Sequence, residues 1–152
     1  MRHPLSLILL LIIAGCQRRP ESAPSPAELR AGVVGRAWEV TMIGGLNASA
    51  AAPETPRGAS GLPATLRFDA TEPIVTGFTG CSDFRASYRL AADSLRFTDA
   101  AVGSVDCDDG RHLDAIMRTV LAHTRRAELR AGHLVLLADD GRPIAHLSER
   151  SK

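Results

Sequence analysis

Between residues 65 and 97 the chain alternates four times between a short strand-like segment and a turn, and this rhythm limits the available folds more than any other feature. Thr65-Leu66-Arg67-Phe68 alternates apolar and polar side chains. Ile74–Phe78 follows a turn at Thr71 to Pro73. Phe84–Leu90 puts Phe84, Ala86, Tyr88 and Leu90 on one face, and Ser94–Phe97 returns across Ala91-Ala92-Asp93 as a hairpin. Segments this short cannot satisfy their backbone or bury their apolar face alone, so they must pair side by side. Closely spaced strands with short turns imply antiparallel pairing, because a parallel crossover needs a dozen residues or more.

The flanking sequence extends this sheet. Gly35–Ile43 reads as a strand, with Trp38, Val40 and Met42 alternating with Glu39 and Thr41. Gly44 to Pro63 is rich in Ala, Gly, Pro and Ser, without periodicity, and is expected to be a flexible excursion. The period then changes: Leu113, Ile116, Met117, Val120 and Leu121 form one face of a helix, with Asp108 or Asp109 available as its N-cap. Arg118, Arg125 and Arg126 lie toward its C-terminal half, where the helix dipole favours cations. Glu128-Leu129-Arg130, Leu134–Leu137, the turn at Asp139-Asp140-Gly141 and Arg142–Leu147 read as a closing meander. Pro143, which cannot donate to a ladder, suggests an edge strand. The expected class is α+β, a single domain dominated by antiparallel sheet with one amphipathic helix.

The N-terminus is of another kind. Arg2 and His3 precede an apolar run from Leu5 to Ile13, followed by Ala14, Gly15 and Cys16, the three-part pattern of a secretory signal. The run is about ten residues, against roughly 20 for a spanning helix. Ile13-Ala14-Gly15-Cys16 resembles a bacterial lipobox, which implies cleavage before Cys16 and acyl chains on it. Several chains are needed for a stable anchor, since one gives only marginal binding. The expected organisation is a signal peptide over 1–15, a lipidated tether over 16–32 and a folded domain over 33–148. Arg18 and Arg19 of the tether are placed to touch anionic headgroups, or serve only as a soluble spacer. Gln17, where an Asp would favour the inner membrane, points to the outer membrane and a protein facing the periplasm.

Charge narrows the partners. Eighteen Lys and Arg stand against 17 Asp and Glu, a net charge of +1, so a nucleic acid is not an expected partner. The expected contacts are the membrane, through Cys16, and an envelope protein. The Pro143 edge and the 44–63 excursion are the surfaces offered for that contact.

Two cysteines remain, Cys81 and Cys107. In an oxidising compartment they are expected to pair, enclosing about 26 residues and contributing roughly 3–4 kcal/mol on the chain-entropy model. A redox site or a metal pair are the alternatives, but there is no CxxC, and His112, five residues after Cys107, is not a zinc spacing by itself. Gly77 and Gly80 lack the helix and the Lys of a phosphate-cradling loop. Asp106, Asp108 and Asp109 fail the EF-hand order. His112, His123, His133 and His146 show no paired spacing, and the strained Gly-x-Ser-x-Gly elbow is absent. No catalytic residue, metal or cofactor is therefore expected.

Thr76-Gly77-Phe78-Thr79-Gly80-Cys81-Ser82, followed by the strand carrying Tyr88, resembles the signature of the META domain, also called the HslJ-like domain: a strand ending in G-x-x-G-C-N before an aromatic-containing strand. The resemblance spans about residues 35–147, with Trp38 at the first strand and Cys107 where the family's second cysteine stands. Ser82 replaces the family's Asn, and Gly103–Cys107 departs from its Thr-x-Met-x-Cys. The resemblance implies an envelope lipoprotein linked to stress or antibiotic tolerance, motility or secretion, with the two cysteines bridged and no established catalysis. A carrier of a small apolar ligand or lipid is the alternative, requiring a cavity inside the sheet.

Overall fold

The computed structural model, which describes residues 25–43, 61–103 and 111–150, joins the alternating segments edge to edge in chain order. The strands are β1 (Ala37–Ile43), β2 (Thr65–Phe68), β3 (Ile74–Phe78), β4 (Asp83–Ala91), β5 (Ser94–Val102), β6 (Arg126–Arg130), β7 (His133–Leu137) and β8 (Pro143–Glu149). Each pairs antiparallel with the next, and β8 returns to β1, so the sheet is a closed barrel. Closure explains the alternation: every second side chain points to a common interior. Trp38, Leu66, Phe68, Val75, Leu95, Leu134, Leu136 and Leu147 are all essentially without solvent contact there. The Phe68 ring meets Tyr88 edge-on, with centroids 5.1 Å apart, and lies 6.1 Å from Phe97. Such pairs contribute beyond their buried area. Among the described residues the buried Trp38 indole N–H has no acceptor.

The barrel closes by unequal means. β1 and β8 share a ladder from Trp38↔Glu149 to Ile43↔Ala145, with one bulge. Among the described residues β5 and β6 share only the register pair Ser94↔Arg126. Helix α2 (Arg111–His123) lies against β5 at this gap and turns Leu113, Met117, Val120 and Leu121 into the core. Its register agrees with the sequence periodicity. Arg125 donates to the carbonyls of Ala122 and Thr124, which would otherwise be orphaned at the helix end. The Asp108 and Asp109 cap lies outside the described residues.

Two expectations are corrected. A second helix, α1 (Pro26–Val33), stands inside the segment read as tether. The reason is local: Ser25 accepts from the Glu28 N–H, the Glu28 carboxylate accepts from the Ser25 N–H, and Pro26 occupies the first turn, a capping box that starts a helix despite the surrounding prolines. Leu29 and Val33, one turn apart, are buried in the core. The other correction concerns Pro143. β8 is paired on both sides, to β1 and β7, so the barrel has no edge there. Pro143 is the first residue of the strand, beside a bulge at Leu137, where a missing N–H is tolerated. β5 also runs on past Phe97 to Val102, its register with β4 shifting between Arg85 and Ser87. Most of the 44–63 excursion lies outside the described residues.

Candidate functional site

The signature residues build the hairpin loop between β3 and β4. Gly77 pairs with Leu66 on one side and Phe84 on the other. A Cβ there would sit 2.0 Å from the Thr65 carbonyl oxygen and 2.6 Å from the Phe84 ring, so only glycine allows β2 and the ring to approach this closely. Gly80 has φ of +101°, a backbone state that side chains resist. The loop is closed by the Thr79 N–H donating to the Ser82 carbonyl at 2.9 Å.

The Thr79 hydroxyl is its hub. It accepts from the Ser82 N–H at 2.9 Å and the Cys81 N–H at 3.3 Å, and donates to Asp114 Oδ1 at 2.8 Å. Asp114 stands in the first turn of α2, and its other oxygen accepts from Arg118 Nε at 2.8 Å. Thr79 and Ser82 are buried, and Asp114 is only 15% exposed, so these bonds are little weakened by water. The signature loop thus holds the start of the helix that covers the β5–β6 gap. Sequence reading missed Thr79 and Asp114. The available signal was an acidic residue in the first turn of a helix, but its partner lies 35 positions upstream.

Cys81 is buried and disulfide-bonded. Cys107 and the lipobox Cys16 lie outside the described residues, as do Asp106, Asp108 and Asp109. The Ser82 hydroxyl lies 3.7 Å from the Cys81 sulfur, and its backbone makes the loop contacts. The departure from the family's Asn therefore leaves the turn itself intact. Tyr88 is separated from this group, six residues along β4 from Ser82, about 20 Å at strand rise. Its hydroxyl reaches toward the Asp69 carbonyl at 3.4 Å, and burial pushes its phenol up, against the pull of nearby Arg30. It lines a cleft of about 330 Å³ with Arg30, Thr71, Glu72 and Arg89. So the structure brings Gly77, Gly80, Cys81 and Ser82 together and places Tyr88 with a different group.

The histidines are dispersed. His146 is half-buried on β8, and burial first, then Arg130 and His133, holds its imidazole below the ordinary histidine range. Among the described residues no three His, Cys, Asp or Glu side chains converge on a point that would hold a metal.

The META domain family model matches residues 31–151. The NMR structure of a protein from Burkholderia xenovorans superposes with a TM-score of 0.70, covering 100% of this chain and 99% of that one at 19% identity, a likeness of fold. No curated protein matches the chain.

Proposed function

The chain belongs to the META domain family, and from that premise we propose that it is a lipid-anchored envelope protein whose barrel serves as a non-catalytic interaction module in envelope stress or antibiotic tolerance. One observation carries the reading: the residues of the family signature are spent on internal structure. Gly77 is enclosed, Thr79 spends its hydroxyl on the loop and on Asp114, and Cys81 is bonded through sulfur. A loop built this way shapes a surface and leaves no free nucleophile or acid–base pair within itself. The apolar filling of the barrel, from Trp38 through Phe68 to Met117, supports an interaction module over a carrier, whose ligand would need that space.

The anchor rests on the sequence Ile13-Ala14-Gly15-Cys16, and the bridge from Cys81 is assigned to Cys107 as the remaining cysteine of the exported chain. The test is to recover the protein from bacterial cells after labelling with a radioactive fatty acid and crosslinking. Label on wild type that is lost in Cys16→Ser, together with a specific envelope protein crosslinked to the barrel, is the expected result. An unlabelled wild-type protein removes the anchor. Turnover of a small molecule by the purified protein removes the non-catalytic reading.

A further inference from the structure

Several arginines of this barrel sit beside an acidic side chain. Arg36, Arg118, Arg126, Arg130 and Arg142 each lie within ion-pair distance of an acidic side chain. On the outer face of β2–β5 the pattern breaks. Arg67, Arg89 and Arg96 are exposed and make no ion pair among the described residues, and Arg85 approaches Glu72 only at 4.0 Å between two well-exposed side chains.

The register places these side chains together. Arg67, Thr76 and Arg85 form one cross-strand row, spanning two strand spacings, about 10 Å. Arg89 stands four residues along β4 from Arg85, and Arg96 on β5 is directly opposite Arg89. Like charges facing each other across a ladder destabilise it. Asp69 attracts Arg67 from nearby, but its carboxylate accepts its hydrogen bonds from the Thr71 and Glu72 backbone N–H groups and the Thr71 hydroxyl, not from a guanidinium. Among the described residues, Arg67, Arg89 and Arg96 therefore bring guanidinium groups without an ion-pair partner to one face, with Arg85 beside them.

Helix α1 brings the chain's N-terminal side to the same place. Arg30 on α1 and Arg89 on β4 line one cleft, and Ser25, where α1 is capped, is nine residues beyond Cys16. Nine residues reach at most about 30 Å, so an anchor at Cys16 keeps this face close to the membrane. We propose that the arginine face of β2–β5 docks on the phosphorylated headgroups of an anionic lipid surface and so sets the orientation of the anchored barrel. This rests on the anchor proposed above. Guanidinium forks match phosphate oxygens in pairs, and an anion between Arg89 and Arg96 turns their repulsion into a bridge.

The test uses the full acylated chain on vesicles of phosphatidylcholine, with or without phosphatidylglycerol, and reads arginine modification by phenylglyoxal residue by residue. Retention on pure phosphatidylcholine reports the anchor. Slower modification of Arg67, Arg89 and Arg96 on phosphatidylglycerol vesicles, reversed by salt and with Arg142 unchanged, reports the docking. Each arginine removed is expected to weaken docking about fivefold. Arg96→Gln should lose part of the protection at Arg67 and Arg89 while unfolding at the same or higher denaturant concentration, which a merely structural role for Arg96 does not produce. Retention on both vesicles with equal modification overturns the docking and leaves the anchor. Retention and protection only with phosphatidylglycerol upholds the docking and removes the anchor. Protection by soluble polyphosphate but not by phosphatidylglycerol overturns the lipid assignment.

Discussion

The two seams of the barrel make the same closure from different materials. At β1–β8 the closure is backbone pairing over most of both strands, with Arg36 and Glu149 joined at 2.6 Å across it. At β5–β6 a single register pair holds, and the rest is the apolar face of α2, fastened by Thr79 to Asp114. Ladder hydrogen bonds are local and numerous, so no single side chain decides the first seam. Among the described residues the second depends on a few buried side chains, the Thr79–Asp114 bond and an exposed Arg126–Asp93 ion pair, and is therefore the part of the barrel that mutation can open.

The largest expected effect is on the helix plug. Met117→Ala removes a fully buried side chain and is expected to cost about 2–5 kcal/mol in chemical denaturation. A cost under 1 kcal/mol would mean that α2 does not close the gap. Thr79→Val should cost roughly 1–3 kcal/mol, because the Ser82 N–H and an Asp114 oxygen lose their partner. A double-mutant cycle with Asp114→Ala should give a coupling of about 0.5–3 kcal/mol, and zero coupling would dissolve the tie. Native-state hydrogen exchange compares the seams directly: amides at the β5–β6 junction, such as Leu95 and Ala127, should open at lower free energy than Val40 of β1. At the paired seam Arg36→Gln should cost less than about 1 kcal/mol, since both partners are more than two-fifths exposed.

The smallest effect lies in the β2–β3 turn, within the strand-paired half. There the N–H groups of Glu72 and Thr71 hold the Asp69 carboxyl down to about 2. The folded value is below the unfolded one, so its support is complete above about pH 4 and fades as pH falls through about 2. An NMR titration of Asp69 with an ordinary carboxylate midpoint would show that this turn is not held as described. His146 has the opposite chemistry. Its imidazole is easier to charge in the unfolded chain, so folding loses stability as pH drops below the ordinary histidine value, and His146→Gln should lessen that loss.

Much of this fold was legible in residue order. Alternation marked the cores of β1, β2 and β4, an apolar run marked β7, and the spacing from Leu113 to Leu121 marked the buried face of α2, whereas Ala127, the buried residue of β6, was not marked. The signature pointed to Gly77, Gly80, Cys81, Ser82 and Tyr88; the first four stand at the end of β3 and in the loop after it, while Tyr88 stands apart on β4. Three further things were not legible. The capping box at Ser25 was hidden in a proline-rich stretch, where composition argued for a spacer and Ser25, Pro26 and Glu28 decided otherwise. Pro143 was read by its missing donor, although the first position of a strand tolerates that even when both neighbours are present. Asp114 had no visible role because its partner comes from the β3–β4 loop.

By itself the sequence determined what depends on neighbours along the chain: which segments alternate, where the helix period begins and where glycine is needed. Only the tertiary structure decided that the sheet closes, that α2 replaces a ladder at one seam, and that exposed arginines of β2, β4 and β5 share one face. Closure and pairing depend on strand register and on contacts between residues far apart in the chain. Those are set by the summed burial of many side chains, a quantity that no local pattern contains.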